Sequence, residues 1–550
     1  MVNPITEAPL SEKGHDLSGA PEYGKTDYEA GVTTSVDDDQ VLHRELKSRH
    51  MQMIAIGGSI GAGLFVSSGG SLSTGGPGSL LLGFMLIGLL LLFTMQSLGE
   101  LAVMYPVNGA FFDYSLRFID PSWGFSMGWL YALSWFCVLP YELTAAGLTI
   151  RFWREDLNIG IWITVFLVVL IIIQVFGVRG YGEVEFVLAI IKIVACIGFV
   201  ILAIIIDCGG VPTDKRGYIG AHYWHKPGAF HNGFKGFVSV FTNAAFAFSG
   251  TELVGLAAAE AANPRVTLPR ASKQVFWRIC GFYVVTLFLI GLIVPYDSDQ
   301  LLNSATSNTK DSPFVLAIRL ANIPALPSIF NVVITISVIS VANSCTFAST
   351  RTIHALAHKQ MAPRFLTWLD SKGRPVWAIV IQICFGLLAF INEASVGTTF
   401  FTWLLSISGL AGLFCWGSIC FSHIRFRAGW KAQGRSLDEI PWRSPLGVWG
   451  SWCGFLLVML CLIAEFYISV WPLGSSPNAT SFFENYLAAV VAIALWLGWK
   501  VYTRQWKMWV SAKDMDLDTG RRSFVDEEEE KIDVALKQRS VFKRVVDAIF

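Results

Sequence analysis

Residues 53–68 read MIAIGGSIGAGLFVSS, with Gly57, Gly58, Gly61 and Gly63 inside a run long enough to enter a bilayer. Glycine in a helix interior costs roughly 1 kcal/mol relative to alanine, so four in seven positions make a poor continuous helix. The stretch predicts a helix break. In hydrocarbon a break strips water from backbone N–H and C=O groups, so irregular backbone at membrane depth persists only where it is buried in protein or lines a cavity. A cavity in mid-membrane implies transport. The other reading is a glycine face for close helix packing, since Gly57 and Gly61 have the GxxxG spacing. The stretch alone leaves both open.

Composition sets the class. Of 550 residues 53% are apolar and only 15% charged, which is a polytopic membrane protein rather than a soluble one. Net charge is zero and no basic stripe interleaves with aromatics, so nucleic acid is excluded as a partner. The ten cysteines lie almost wholly inside apolar runs, with Cys208 alone near an external loop, and give no disulfide framework. The first forty residues are polar, without the apolar core of a cleavable signal, so the first membrane segment directs insertion.

Residues 1–48 read as a disordered cytosolic tail, low in hydrophobicity and rich in Gly, Ser, Thr and acids. A membrane domain over 49–505 follows. Its twelve apolar stretches lie at 50–71, 79–104, 124–150, 160–178, 184–207, 236–259, 275–295, 328–356, 376–392, 398–423, 447–471 and 483–502, each near the ~20 residues that cross ~30 Å of hydrocarbon. Lys and Arg cluster after segments 6, 8 and 10, whereas the loops after segments 1, 9 and 11 have none, which places both termini in the cytosol. The loop after segment 5 goes against that pattern, with Lys215, Arg216, Lys226 and Lys235. Asn478-Ala479-Thr480 is a glycosylation sequon on the outer side of this topology. Residues 506–550 read as a solvated cytosolic tail ending in a short docking helix.

A second interruption falls at 241–255, FTNAAFAFSGTELVG, where Ser249-Gly250-Thr251-Glu252 stands amid apolar sequence. It is in the sixth segment, five after the first. Interrupted segments in matching positions of two halves are the pattern of a transporter built from inverted repeats. The pairing favours the cavity over simple glycine packing.

At this point the chain resembles the fungal amino acid permeases of the amino acid-polyamine-organocation superfamily. The matching stretches are LKSRHMQMIAIGGSIGAGLFVSSG (46–69), LGELAVMYPVNGAF (98–111), RFIDPSWGFSMGW (117–129), AFSGTELVGLAAAEAANPRVTLPRA (247–271) and WLLSISGLAGLFCWGSICFSHIRFR (403–427). The resemblance covers 46 to about 505. It implies an all-α fold of about twelve transmembrane helices, a 5+5 inverted repeat with helices 1 and 6 broken and two helices appended. It also implies proton-driven uptake of amino acids at the plasma membrane, with no cofactor and no catalysis.

The physics of a broken helix suits such a substrate. N–H groups freed at a half-helix N-terminus carry about half a positive charge and suit a carboxylate, while freed carbonyls suit an ammonium. By match to the family, the carboxylate meets Ser59, Gly61, Ala62 and Gly63, with Ile60 also in the substrate-binding stretch, and the amine meets carbonyls around Phe246, Ala247 and Ser249. Phe248, beside the second break, reads as a gate over the substrate. Trp403 and Ser406 read either as side-chain pocket or as core.

Three charged residues stand in apolar segments. Glu142 and Glu252 are costly in hydrocarbon and are either paired packing groups or proton carriers. Lys192 lies on the order of 13 Å from the helix end marked by Glu183. It either snorkels towards the interface or reaches the carbonyls freed near Gly57 and Gly58; in the resembled superfamily a lysine here is associated with proton coupling. Glu100 and Arg117 read as anchors near the cytosolic surface. His222, His225 and His231 have no acids or thiols to complete a metal site, so no metal is expected.

A catalytic enzyme would need a nucleophile–base pair or cofactor loop, and none is legible. The alternatives to amino acid uptake are a non-transporting amino acid sensor and a permease for polyamines or 4-aminobutyrate. The pocket's lack of further charges leans towards broad or neutral selectivity. Ubiquitin-ligase machinery acting on the cytosolic tails, for instance at Lys13 or Lys25, is typical of the resembled family.

Overall fold

The computed structural model describes residues 53–521 apart from 54–55, 108, 155, 257–263, 303–311, 394–396 and 475. The terminal expectations for 1–48 and 522–550, Lys13 and Lys25 among them, lie outside the described residues.

Every crossing expected from the sequence is present. Nine helices among the described residues are long and apolar enough to span a membrane, and two shorter apolar helices accompany them. The first of the nine, Ile56–Met104, is two crossings. At about 1.5 Å per residue its length is more than twice a bilayer core, and Gly76, at φ +78° and ψ 170°, interrupts it. A side chain at Gly76 would strike the carbonyl oxygen of Ala229, so glycine serves both the left-handed turn and the close approach.

The twelve crossings are α1 (56–75), α2 (77–104), α3 (Pro121–Ile150), α4 (Ile159–Val175), α5 (Gly177–Asp207), α6 (Gly233–Leu256), α7 (Pro264–Ile293), α8 (Leu326–His358), α9 (Val376–Glu393), α10 (Gly397–Ala432), α11 (Gly447–Val470) and α12 (Ala479–Thr503). Several begin where capping chemistry dictates. Asp120 accepts from Trp123 N–H with Pro121 at the first helical position, Asn158 accepts from Gly160 N–H, and Asn478 accepts from Ser481 N–H. Asn478, the sequon residue, is exposed.

Helices five apart pack against one another: α1 on α6, α2 on α7, α3 on α8 and α4 on α9. That is the pairing expected of two intertwined five-helix repeats. α11 and α12 lie against α10, and Asp120 ties α12 to α3 through Lys500 at 3.1 Å and the indole of Trp496 at 2.9 Å. The outer face of α5 presents Val187, Ile190, Val194, Ile197, Ile201 and Ile204 uncovered. So continuous an apolar strip is at home in lipid, and the protein is an integral membrane protein.

One expectation is corrected. Within the expected solvated tail of 506–550, residues 506–509 are exposed, whereas 510–521 form a strap on the end of the bundle that carries the 105–120 and 433–446 connections. Met515 and Leu517 are buried, and their carbonyls accept from Gln433 and the Tyr105 hydroxyl at 2.8 Å each. Asp518 pairs with Arg435, and Arg117 reaches the carbonyl of Thr519. A tail rich in charge hides this behaviour in sequence, because few apolar side chains, Val510, Met515 and Leu517 among them, anchor it. Glu100 and Arg117 do act as anchors here. Glu100 receives His423, Arg427 and the Ser444 N–H, and Arg117 pairs with Asp113.

Candidate functional site

Both interruptions are real, and they touch. In α1 the helix bends at Ile60 and Gly61 and resumes through a wide π turn at Gly63–Ser67. In α6 the helix Val240–Phe248 stops at Ser249, Gly250 adopts φ +99°, and a short helix resumes at Leu253–Leu256. A Cβ built on Gly250 would sit 2.6 Å from the Gly58 carbonyl oxygen, and one on Gly63 would sit 2.5 Å from Ala247 Cα. Cavity and packing were offered as alternatives for these glycines; the geometry shows a break held by close packing. Gly57 faces Glu185, Gly58 faces Leu253, and Gly61 faces Val341 and Glu142.

The backbone groups freed at the first break have side-chain partners. The Lys192 ammonium donates to the Gly57 carbonyl at 2.6 Å, and the residue is wholly buried rather than snorkelling. The Tyr283 hydroxyl lies 2.8 Å from the Ser59 carbonyl and 2.7 Å from the Ala247 carbonyl, bridging both breaks with one group. The Glu142 carboxyl faces the break at Gly61. Glu142 Oε2 is buried with no hydrogen-bond partner among the described residues.

At the second break Glu252 is the organising group. Its carboxylate accepts the Gly250 N–H at 3.2 Å, the Tyr131 hydroxyl at 3.2 Å and the Trp416 indole at 3.3 Å. It therefore ties α6 to α3 and α10. The Ser249 N–H is shared between the carbonyls of Ala245 and Phe246 at 3.0 and 3.2 Å. The carbonyls of Phe246 and Ala247, assigned by resemblance to the substrate amine, thus already have donors within the protein.

Phe246 and Phe248 lie on different faces of α6, as two residues at about 100° each require. Phe246 meets Tyr141 edge-on at 4.8 Å, and Tyr141 stacks on Phe401 at 4.0 Å. Phe248 instead stacks on Tyr283 at 4.6 Å and touches Phe84. The structure brings Phe246, rather than Phe248, to the aromatic wall beside Glu142. Ser406 is buried and Trp403 half-buried on α10, along the stretch between Phe401 and Gly412; Gly412 lies beside Ser249.

Several residues of the site escaped the sequence reading. Tyr131, Tyr141, Tyr283 and Trp416 read as ordinary aromatics, since nothing local says that a hydroxyl or indole will meet a broken helix. Glu185 does not stand out in sequence beside Glu183. The missed signal is its spacing of seven from Lys192, about two helical turns, which puts the two on one face. Glu185 accepts from Ser340 and, at 3.2 Å, from the Asn343 amide.

The family model described as Amino acid permease matches residues 50–512. The Schizosaccharomyces pombe protein named "Uncharacterized amino-acid permease" is 56% identical over 505 residues, 91% of this chain and 86% of the relative. Cationic amino acid transporter 1 of the same yeast is 51% identical over 515 residues, 92% and 86% of the two chains. The General amino-acid permease of Saccharomyces cerevisiae is 48% identical over 487 residues, 88% and 81%.

Proposed function

The chain belongs to the amino acid permease family, a family of amino acid transporters, and from that membership we propose that it is a proton-coupled symporter. It takes up L-amino acids across the plasma membrane by alternating access, with both termini in the cytosol. The observation that carries the reading is the buried Lys192 ammonium on the Gly57 carbonyl, a titratable cation placed on the broken helix itself.

The substrate's α-carboxylate is received at the break spanning Ser59 to Gly63. Because the Glu142 carboxyl faces Gly61 at the break, the arriving carboxylate must displace that side chain or find it protonated; two carboxylates in one desolvated site repel. The ammonium is received by the unpartnered Oε2 of Glu142. This arrangement reads the part common to all α-amino acids. Phe246, Tyr141 and Phe401 form an apolar wall for the side chain, which supports broad or neutral selectivity. Relatives of similar identity are named both general and cationic, so overall identity does not set the substrate range. Lys192 is the coupling group, with Glu252 the less suited carrier because three donors hold its carboxylate in place.

The test is reconstitution of purified protein in liposomes with labelled amino acids and an imposed pH gradient, alkaline inside. Concentrative uptake, competed by several neutral amino acids, is expected. Saturable binding without accumulation overturns transport in favour of a sensor. Competition by putrescine or 4-aminobutyrate but not by glycine overturns the substrate class.

A further inference from the structure

Between the first break and the end of the bundle that joins α4 to α5 runs a buried polar path, which the transport reading leaves unused. Its inner member is Lys192, on the Gly57 carbonyl. Two turns along the same helix is Glu185, fully buried and packed against Gly57 itself. Ser340 and Asn343 of α8 donate to the two oxygens of its carboxylate. Asn343 also receives Gln174 at 3.1 Å, and one turn before Glu185 the Tyr181 hydroxyl donates to Ser344 at 3.2 Å. Gln174 and Tyr181 line a cleft together with Thr350, Arg351 and Arg374. Glu185 is therefore one hydrogen-bonded residue from that cleft on one side, and on the other it shares Gly57 with Lys192.

We propose that Glu185 is the proton acceptor for Lys192, the station through which the coupling proton passes between the broken helix and the cleft. This rests on the proton-coupled reading given above. The transfer, relayed by a water between the two groups, is balanced: an N–H bond of the Lys192 ammonium breaks, an O–H bond forms on the Glu185 carboxylate, and an amine and a carboxylic acid replace two opposite buried charges. Net charge is zero before and after. No lone charge is left in the low-dielectric interior, which is the condition for moving a proton there without large desolvation cost. Loss of the ammonium also weakens its hold on Gly57, so the protonation state of the pair reports directly to the break. The acid then releases its proton to water entering by the cleft when that side opens. The other titratable groups facing Glu185 are Tyr181 on its own helix and Cys345 on α8, while Glu142 on α3 faces Lys192 from the opposite side. A simple packing role would need neither charge nor connection to the cleft.

The experiment compares wild type, Glu185→Gln and Asn343→Ala in liposomes, using two assays on each preparation. One is exchange of external labelled amino acid for internal unlabelled amino acid, which needs no net proton movement. The other is concentrative uptake under a pH gradient, with proton entry followed by an internal pH dye. Glu185→Gln is expected to exchange within about threefold of wild type, which also shows that it folds, and to lose concentrative uptake and substrate-dependent proton entry by tenfold or more. Asn343→Ala keeps the carboxylate and is expected to slow proton-coupled uptake several-fold with exchange unchanged. If wild type carries protons and Glu185→Gln carries them equally, the inference falls while the coupling reading stands. If Glu185→Gln fails to fold, an Asn343→Ala variant with unslowed coupled uptake overturns the relay. If wild type itself moves no protons with substrate, the coupling reading falls and takes this inference with it.

Discussion

Lys192 Nζ sits 2.6 Å from the carbonyl oxygen of Gly57, joining the middle of the fifth helix to the break in the first. The ammonium thereby does the work of the missing helical N–H, and the lysine and the glycine are one structural unit. Removing its charge also leaves the buried Glu185 carboxylate without a nearby counter-charge, with only the neutral donors Ser340 and Asn343. Lys192→Met is therefore expected to abolish gradient-driven accumulation, retain some substrate binding, and lower stability by about 3–5 kcal/mol, the usual effect of stranding one half of a buried pair. The double variant Lys192→Met/Glu185→Gln should recover most of the stability but none of the accumulation. Thermal unfolding in detergent checks the first part and uptake checks the second; no recovery in the double variant rules out the pair.

The glycines of the first break differ in what faces them. A side chain at Gly63 would meet the backbone of Ala247, which cannot move aside, whereas one at Gly61 meets the side chain of Val341. Gly63→Ala is expected to cost about 1–3 kcal/mol through overpacking and to reduce the amount of protein reaching the membrane. Gly61→Ala should be better delivered and lose transport instead. Surface quantification alongside uptake distinguishes them, and equal surface amounts of both would refute the packing argument.

Phe248 and Phe246 should part company in the same assay. Phe248→Ala opens the cluster formed with Tyr283 and Phe84 and is expected to cost about 3–5 kcal/mol. The affinity of the surviving protein should stay within about twofold. Phe246→Ala is expected to weaken apparent affinity by about fivefold or more with a smaller loss of stability. A large affinity change in Phe248→Ala would restore it as a gate.

Tyr283→Phe removes one hydroxyl and leaves the carbonyls of Ser59 and Ala247 without that donor. An unsatisfied buried acceptor costs about 1–3 kcal/mol. The expected result is a lower melting temperature together with weaker substrate binding, because both breaks lose a common brace. A stability loss with wild-type affinity would confine Tyr283 to packing.

The strap offers a pH test away from the membrane. The hydrogen bond from Arg435 holds the Asp518 carboxyl below its ordinary 3.8. A depressed carboxyl stabilises the docked state at pH above its ordinary value and loses that contribution as pH falls through its lowered one. Limited proteolysis within 507–521 should therefore speed up as pH drops from about 5 towards 3. Asp518→Asn should be cut a few-fold faster at neutral pH, the modest effect of an exposed pair. Leu517→Asp, which places charge in a buried site, should release the strap far more. Cleavage indifferent to all three changes would show that these contacts do not hold it.

The amino-acid sequence alone determined the class, the twelve crossings and both breaks, because these rest on local physics. Apolar run length sets a crossing, and Gly57–Gly63 and Ser249–Glu252 interrupt a helix wherever they are placed. The sequence also singled out Lys192, Glu142 and Glu252, since a charge inside an apolar run is visible without a fold. What each charge faces was decided only by tertiary structure. Phe246 and Phe248 are equivalent in composition, and only the rotation of α6 against α3 and α7 sends one towards Tyr141 and the other towards Tyr283. The partners of the breaks come from helices 36 to 224 positions away: Tyr283 for Ser59 and Ala247, Lys192 for Gly57, Trp416 and Tyr131 for Glu252. The strap follows the same rule, because burial of Met515 and Leu517 exists only once the loops at 105–120 and 433–446 have formed the surface that receives them.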